Sequence, residues 1–263
     1  MKPPPSSQAA EAPTVVYWDI DRCPVPCGFD AGQVGPCIVR FLRNLGYSGP
    51  LIITAVGILT DVPEDVLRKV SSTGIFLHHG AYSYRDMNMV LYGVTNHVEL
   101  PANVMVISTP PSYTDTLSLL DEWGFNVIYP FSYDFPQEPS SINSLWSNFL
   151  RAGVCLSSDS GPPLECSNTG QWVCIVCNDL DGLGAESLIR HLSSREHACE
   201  LWEWLPPCGC SKLPLDSTIE TPRYSRSSLR ATMDMDDSDM DDSDMVHKQP
   251  KRIWSMVLKK LRT

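Results

Sequence analysis

The chain lacks several things that would have decided its class at once. No apolar run reaches the roughly 18 residues that a membrane-spanning helix needs, and the opening segment MKPPPSSQAAEAP has no apolar stretch after its single lysine. It therefore does not read as a secretory signal. No Gly-rich phosphate loop of the required spacing is present, nor a Gly-x-Ser-x-Gly elbow, so P-loop nucleotide chemistry and α/β-hydrolase chemistry are not expected. Positive charge is scarce as well: 20 Lys and Arg stand against 31 Asp and Glu, a net charge of -11. Nucleic-acid binding is driven by cations, so that balance argues against a polycationic binder. Much of the excess lies in one tract, however, where Asp234, Asp236, Asp237, Asp239, Asp241, Asp242 and Asp244 fall within eleven residues.

What is present divides the 263 residues into unequal parts. Residues 1–13 are rich in Pro and Ser and are expected to be disordered. From Thr14 the pattern alternates. TVVYWDI, LIITAVG, GIFLHH, NVMVIS and NVIYPF read as buried strands, and segments with apolar residues at helical spacing separate them. SINSLWSNFLR closes the series as a helix. Strands alternating with helices predict a three-layer α/β/α domain over 14–152 with a mostly parallel sheet of five strands. Residues 153–171 read as a linker and 172–204 as a small ββα-type module. Residues 205–263 read as a mostly disordered acidic tract ending in KRIWSMVLKKLRT, where Ile253, Trp254, Val257, Leu258 and Leu261 share one helical face.

The ten cysteines, in a chain without an export signal, read as reduced thiols or metal ligands, which predicts an intracellular protein. Four ligands stand out in CIVCNDLDGLGAESLIRHLSSREH. Cys174 and Cys177 are three positions apart, and His191 and His197 are six apart, with thirteen residues between the pairs. A Cys-x-x-Cys turn can present two sulfurs from one side, and a following helix can present two imidazoles from its last turn and just beyond it. Zinc takes such donors in a tetrahedron, so structural zinc is the predicted cofactor here. Trp172, Trp202 and Trp204 flank this module; they either stack bases or pack as its core. Cys23, Cys27 and Cys37 share no ligand spacing and are expected to be buried thiols. His78 and His79 are expected to be structural or exposed.

Strand one ends in Trp18-Asp19-Ile20-Asp21. In open parallel sheets, ligands bind beyond the carboxyl ends of the strands. Asp19 and Asp21 there either hold a hard divalent cation or cap turns at the strand end.

The segment VYWDIDRCPVP, the alternation that follows it and the downstream two-cysteine, two-histidine finger resemble the NYN domain proteins. More specifically, they resemble plant members of the limkain-type, meiosis-regulator and mRNA-stability-factor group. That resemblance implies a PIN-like nuclease fold, RNA as substrate, catalysis at Asp19, Asp21 and Asp86 with magnesium or manganese held by Asp19 and Asp86, and a role in regulating gene expression. It also implies a peroxisome association, whereas the reduced cysteines predict cytoplasm or nucleus, and the finger and tails are candidate surfaces for protein partners. Two departures from the family pattern matter. Arg22 stands where the family places an asparagine, and Ser108-Thr109-Pro110-Pro111-Ser112 replaces an acidic Ser-Asp-x-Asp run after strand four. A guanidinium about 4 Å from a carboxylate interacts by roughly 4 kcal/mol at an effective dielectric of 20, so Arg22 can neutralise Asp19 or Asp21 in place of a metal. Asp115, a turn further on, either compensates for the missing carboxylate or caps the helix with Ser112, the cap being the favoured reading. The expectation is an RNA-directed NYN protein with a partly eroded, metal-dependent endoribonuclease site, or an inactive RNA- or protein-binding module on the same fold.

Overall fold

The computed structural model describes residues 5–81, 87–88, 90–91, 93–94, 98–109, 114–131, 139–155 and 170–204. Its centre is one sheet of seven strands: β1 (Thr14–Asp19), β2 (Leu51–Gly57), β3 (Phe76–His79), β4 (Asn103–Ile107), β5 (Asn126–Ile128), β6 (Gln171–Cys174) and β7 (Leu180–Leu183). The strand order is β5-β4-β1-β2-β3-β6-β7. Every pairing is parallel except β6 with β7.

The expected α/β class and mostly parallel sheet hold, but the strand number is a correction. The first five strands form the sheet read from the alternating pattern, and the hairpin of the finger module then extends it: β6 docks parallel on β3, with His79 beside Cys174. The hairpin pattern alone gives no sign of this, because the open edge of β3 is a property of strand order and not of the hairpin sequence.

Parallel strands are covered on both faces, and period-two alternation divides their side chains between two cores. Val16, Trp18, Ala55, Leu77, Met105, Ile107 and Cys174 belong to one. There they meet α2 (Val34–Asn44), α3 (Glu64–Ser72) and α5 (Pro139–Cys155). Val15, Tyr17, Val56, Phe76, Val104, Val106 and Val173 face the other. That side is closed by helical residues Met87, Val90, Leu91 and Val94 and by Leu117 and Leu120 of α4 (Thr114–Glu122). Trp146 of α5 packs on Trp18, ring centroids 5.9 Å apart, and donates its indole N–H to the Pro24 carbonyl.

Within the segment expected to be disordered, α1 (Ser7–Glu11) forms, capped by the Ser6 hydroxyl, and Ala12 is buried. Asn103 explains this order. Its side-chain amide donates to the carbonyls of Ala9 and Ala12 and to Thr14 Oγ1, tying the segment to the start of β4. The finger module adds α6 (Ala185–Leu192) and α7 (Arg195–Trp204). Among the described residues no helix is long and apolar enough to cross a membrane.

Candidate metal centres on the carboxyl rim of the sheet

Two groups of metal-binding side-chain types lie on the rim formed by the carboxyl ends of the parallel strands. They are separated by the three strand spacings from β1 to β6, or roughly 14 Å.

The first is built on Asp19, the last residue of β1. It is fully buried, and its carboxylate is satisfied by the protein. The Arg22 backbone N–H donates to Oδ1 at 3.0 Å, the Arg22 guanidinium lies 3.1 Å from Oδ2, and Ser108 Oγ donates to Oδ2 at 2.7 Å. The local sequence dictates this arrangement. The chain turns sharply after β1, with the Cys23 N–H bonded to the Asp19 carbonyl and the Trp18 indole N–H bonded to the Cys23 carbonyl. That turn returns residue 22 over the carboxylate of residue 19. A buried carboxylate needs charge compensation, and Arg22 supplies it.

Asp21 has a partner of its own on β2's outgoing chain. Its carboxylate accepts the Ile58 N–H at 3.0 and 3.2 Å, which holds the chain leaving β2. Gly57 is needed for this approach, since a Cβ there would lie 2.8 Å from both Asp21 Oδ1 and Ile20 Cγ2. Asp86 lies outside the described residues, as does Ser112. Asp115 is exposed, in the first turn of α4. Among the described residues, no third carboxylate joins Asp19 and Asp21 in a metal-binding group.

The second group is Cys174, Cys177, His191 and His197, with one donor atom from each lying within 4.8 Å of the others. Cys177 Sγ is 3.3 Å and Cys174 Sγ 3.7 Å from His197 Nδ1. Ligands of a tetrahedral zinc, at 2.3 Å for sulfur and 2.0–2.1 Å for nitrogen, stand roughly 3.3–3.8 Å apart. Each ligand has a structural reason for its place. Cys174 ends β6, and the turn to β7 passes through Asn178 and Asp179 at positive φ, presenting Cys177 on the same side. His191 is in the last turn of α6. The helix then breaks, and Ser194 Oγ accepts the His197 N–H at 3.1 Å, starting α7 at an angle that returns His197 to the thiols. The six-residue histidine spacing is thus a helix break with a new cap.

The electrostatics of the cluster suit a cation. Burial pushes both thiols up and holds the His197 imidazole down at about 4, with His191 lowered for the same reason. Neutral imidazoles are the ligating form, whereas the thiols must lose protons to a metal before they bind it. His197 turns Nδ1 to the thiols, and Nε2 of His191 is buried without a hydrogen-bond partner. Buried polar atoms are nearly always paired, so this constellation fits a metal and fits poorly as an apolar core.

Trp172 belongs to the packing of the module. It is buried, stacks on His191 at 5.2 Å and donates its indole N–H to Ser187 Oγ at 2.7 Å. Gly182 makes room for the ring. Trp202 is 63% exposed. The side chain of Trp204 lies outside the described residues. Cys23 and Cys37 are buried as expected, but Cys27 is exposed. His78 and His79 are wholly buried. Sequence reasoning missed two residues at these centres. One is Ser108, whose position one residue past β4 was the available signal. The other is His79, whose packing on His197 at 4.9 Å follows from the unanticipated docking of β6.

The NYN domain family model matches residues 13–149. The chain belongs to the NYN domain family, of PIN-like nuclease fold, and the first five strands and their helices are that domain. No curated protein matches the chain in sequence.

Proposed function

We propose that the protein is an RNA-directed NYN domain protein whose nuclease centre is partly eroded, and that it regulates gene expression by holding RNA rather than by cutting it efficiently. The observation that carries this reading is the closure of Asp19 by Arg22 and Ser108. A divalent cation binding Asp19 would have to displace a guanidinium already paired with a buried carboxylate. Residual metal-dependent scission through Asp19, Asp21 and Asp86 then requires Arg22 to swing away. Structural zinc is assigned to Cys174, Cys177, His191 and His197, and the finger it stabilises is a further surface for RNA or protein. A limkain-type subfamily is part of the same proposal, carried by the resemblance of VYWDIDRCPVP and the two-cysteine, two-histidine segment.

The test is purified full-length protein with single-stranded RNA and magnesium or manganese, beside Asp19→Asn and Arg22→Asn. The expected result is RNA binding with slow cleavage, and faster manganese-dependent cleavage by Arg22→Asn. Robust Asp19-dependent cleavage by the wild type would overturn erosion. Absence of RNA affinity would favour the competing reading, a protein-interaction scaffold, which draws support from the net charge of -11.

A further inference from the structure

α2 and α5 pack side by side over the face of the sheet that carries Trp18. Between them lies an open cavity of about 390 Å³, lined by Arg40, Phe41 and Asn44 of α2, by Leu145 and Phe149 of α5, and by Phe131. About 150 Å³ is enough for a benzene-sized group, so the cavity has room for more than one side chain. Leu45 and Val154, at the ends of the same two helices, are each 39% exposed. The rings of the cavity are turned on one another: Phe149 stacks with Trp146 at 5.5 Å and meets Phe41 at 4.9 Å and Phe131 at 6.0 Å. Little ring face is left for a nucleic-acid base to stack on. Unbranched thioether side chains, by contrast, fill irregular gaps and pack well against ring edges.

Charge around the cavity is of one sign. The segments VGPCIVRFLRN of α2 and PSSINSLWSNFLRAGVC of α5 carry Arg40, Arg43 and Arg151 and no Asp or Glu. Among the described residues, none of these three arginines is in an ion pair. Such a face is an exception in a chain of net charge -11. Thioethers and negative charge occur together in residues 233–245, MDMDDSDMDDSDM, where four methionines are interleaved with seven aspartates. The segment 251–263 also has apolar residues, but it would set its lysines and arginines against those of α2 and α5.

We propose that the cavity between α2 and α5 is the intramolecular seat of the Asp/Met tract 233–245, with methionines filling the space beside Phe41, Phe131 and Phe149 and aspartates meeting Arg40, Arg43 and Arg151. Reach is ample. Met233 follows Trp204 by 29 residues, a connection of about 100 Å when drawn out, whereas a compact fold of about 200 residues has a radius of gyration of only about 16 Å. A tether also supplies an effective concentration on the order of millimolar, so individually weak contacts suffice. Seated there, the tract withholds this cationic face from other acidic partners.

The experiment is NMR of the full-length chain labelled at the methionine methyls, as wild type, as Arg40→Glu and with all seven aspartates of the tract changed to Asn. In wild type, ring currents should move at least one of the Met233, Met235, Met240 and Met245 methyls upfield, at every protein concentration. That shift should be lost in Arg40→Glu, in the seven-Asn variant and in high salt. The seven-Asn variant alters no residue of the NYN domain, so the test holds even where Arg40→Glu fails to fold. Tract methyls at random-coil positions in wild type, or shifts that survive the seven-Asn change, would overturn the proposal. Shifts that grow with concentration would seat the tract on a second copy, and a shift of the Met256 methyl alone would seat the basic tail; either contradicts it. Random-coil tract methyls together with Arg40 and Phe149 resonances that move on adding single-stranded poly-uridine would make the cavity an RNA surface instead.

Discussion

The Asp19 centre and the Cys174–His197 cluster sit on the same rim of the same sheet, yet they meet the problem of buried polar groups in opposite ways. At Asp19 the chain provides its own cation and its own hydroxyl, so the carboxylate is compensated within the protein. At the cluster four donors converge, and among the described residues the buried Nε2 of His191 lacks a partner. A residue type common at metal sites is therefore weak evidence by itself. What separates the two centres is whether their lone pairs are already occupied.

That contrast breaks most visibly at the cluster. Replacing Cys174 and Cys177 together with serine should abolish zinc uptake. Structural zinc contributes on the order of 10 kcal/mol to the folding of small finger peptides, so the loss should be the largest of any change considered. Because β6 pairs with β3, hydrogen exchange should quicken in β3 as well as in the finger. Exchange confined to residues 170–204 would mean that the finger is energetically separate from the sheet.

At Asp19 the expected effect is smaller. Arg22→Ala leaves a buried carboxylate with only Ser108 and one backbone N–H among its identified donors, and stripping a buried charge of its partner costs on the order of 3 kcal/mol. Manganese should restore part of that stability in the variant and none in the wild type, as read from melting temperatures. Equal response of both proteins to manganese would blur the contrast.

His78 sharpens the comparison through pH. Burial holds its folded-state pKa at about 4, against 6.5 when unburied. The unfolded chain therefore binds more protons between those values, and stability falls as pH drops from about 6.5 to about 4, then levels off. At 1.36 kcal/mol per pH unit the contribution is roughly 3 kcal/mol. Denaturant titrations of His78→Leu should show a shallower fall across that window, and an unaltered slope would exclude His78 as its source. The smallest expected effect belongs to the exposed Arg68–Glu186 pair at 2.6 Å, which spans α3 and α6. Glu186→Gln should change stability little, and less still in high salt.

The core of the fold was legible because it depends on local pattern. The runs TVVYWDI and NVMVIS are continuous and apolar, as strands buried on both faces must be. The convergence of Cys174, Cys177, His191 and His197 was legible because the spacing of each pair is local too. The turn after β1 was half legible: Arg22 is a neutraliser of nearby carboxylates on sequence grounds, but its pairing with Asp19 depends on the Cys23–Asp19 turn. Docking of the finger hairpin on β3 was not legible, since it pairs segments about a hundred residues apart and no local signal encodes strand order. The order of residues 7–12 was hidden for a similar reason, because it depends on the distant Asn103 amide.

The most direct measurement is the metal content of the purified protein after equilibration with both zinc and manganese, for the wild type, Cys174→Ser and Asp19→Asn. One tightly held zinc per chain is expected in wild type and Asp19→Asn, absent from Cys174→Ser, with no retained manganese in any of the three. Stoichiometric manganese that Asp19→Asn removes would show that the carboxylate is open to a cation, contradicting the claim that Arg22 has taken its place.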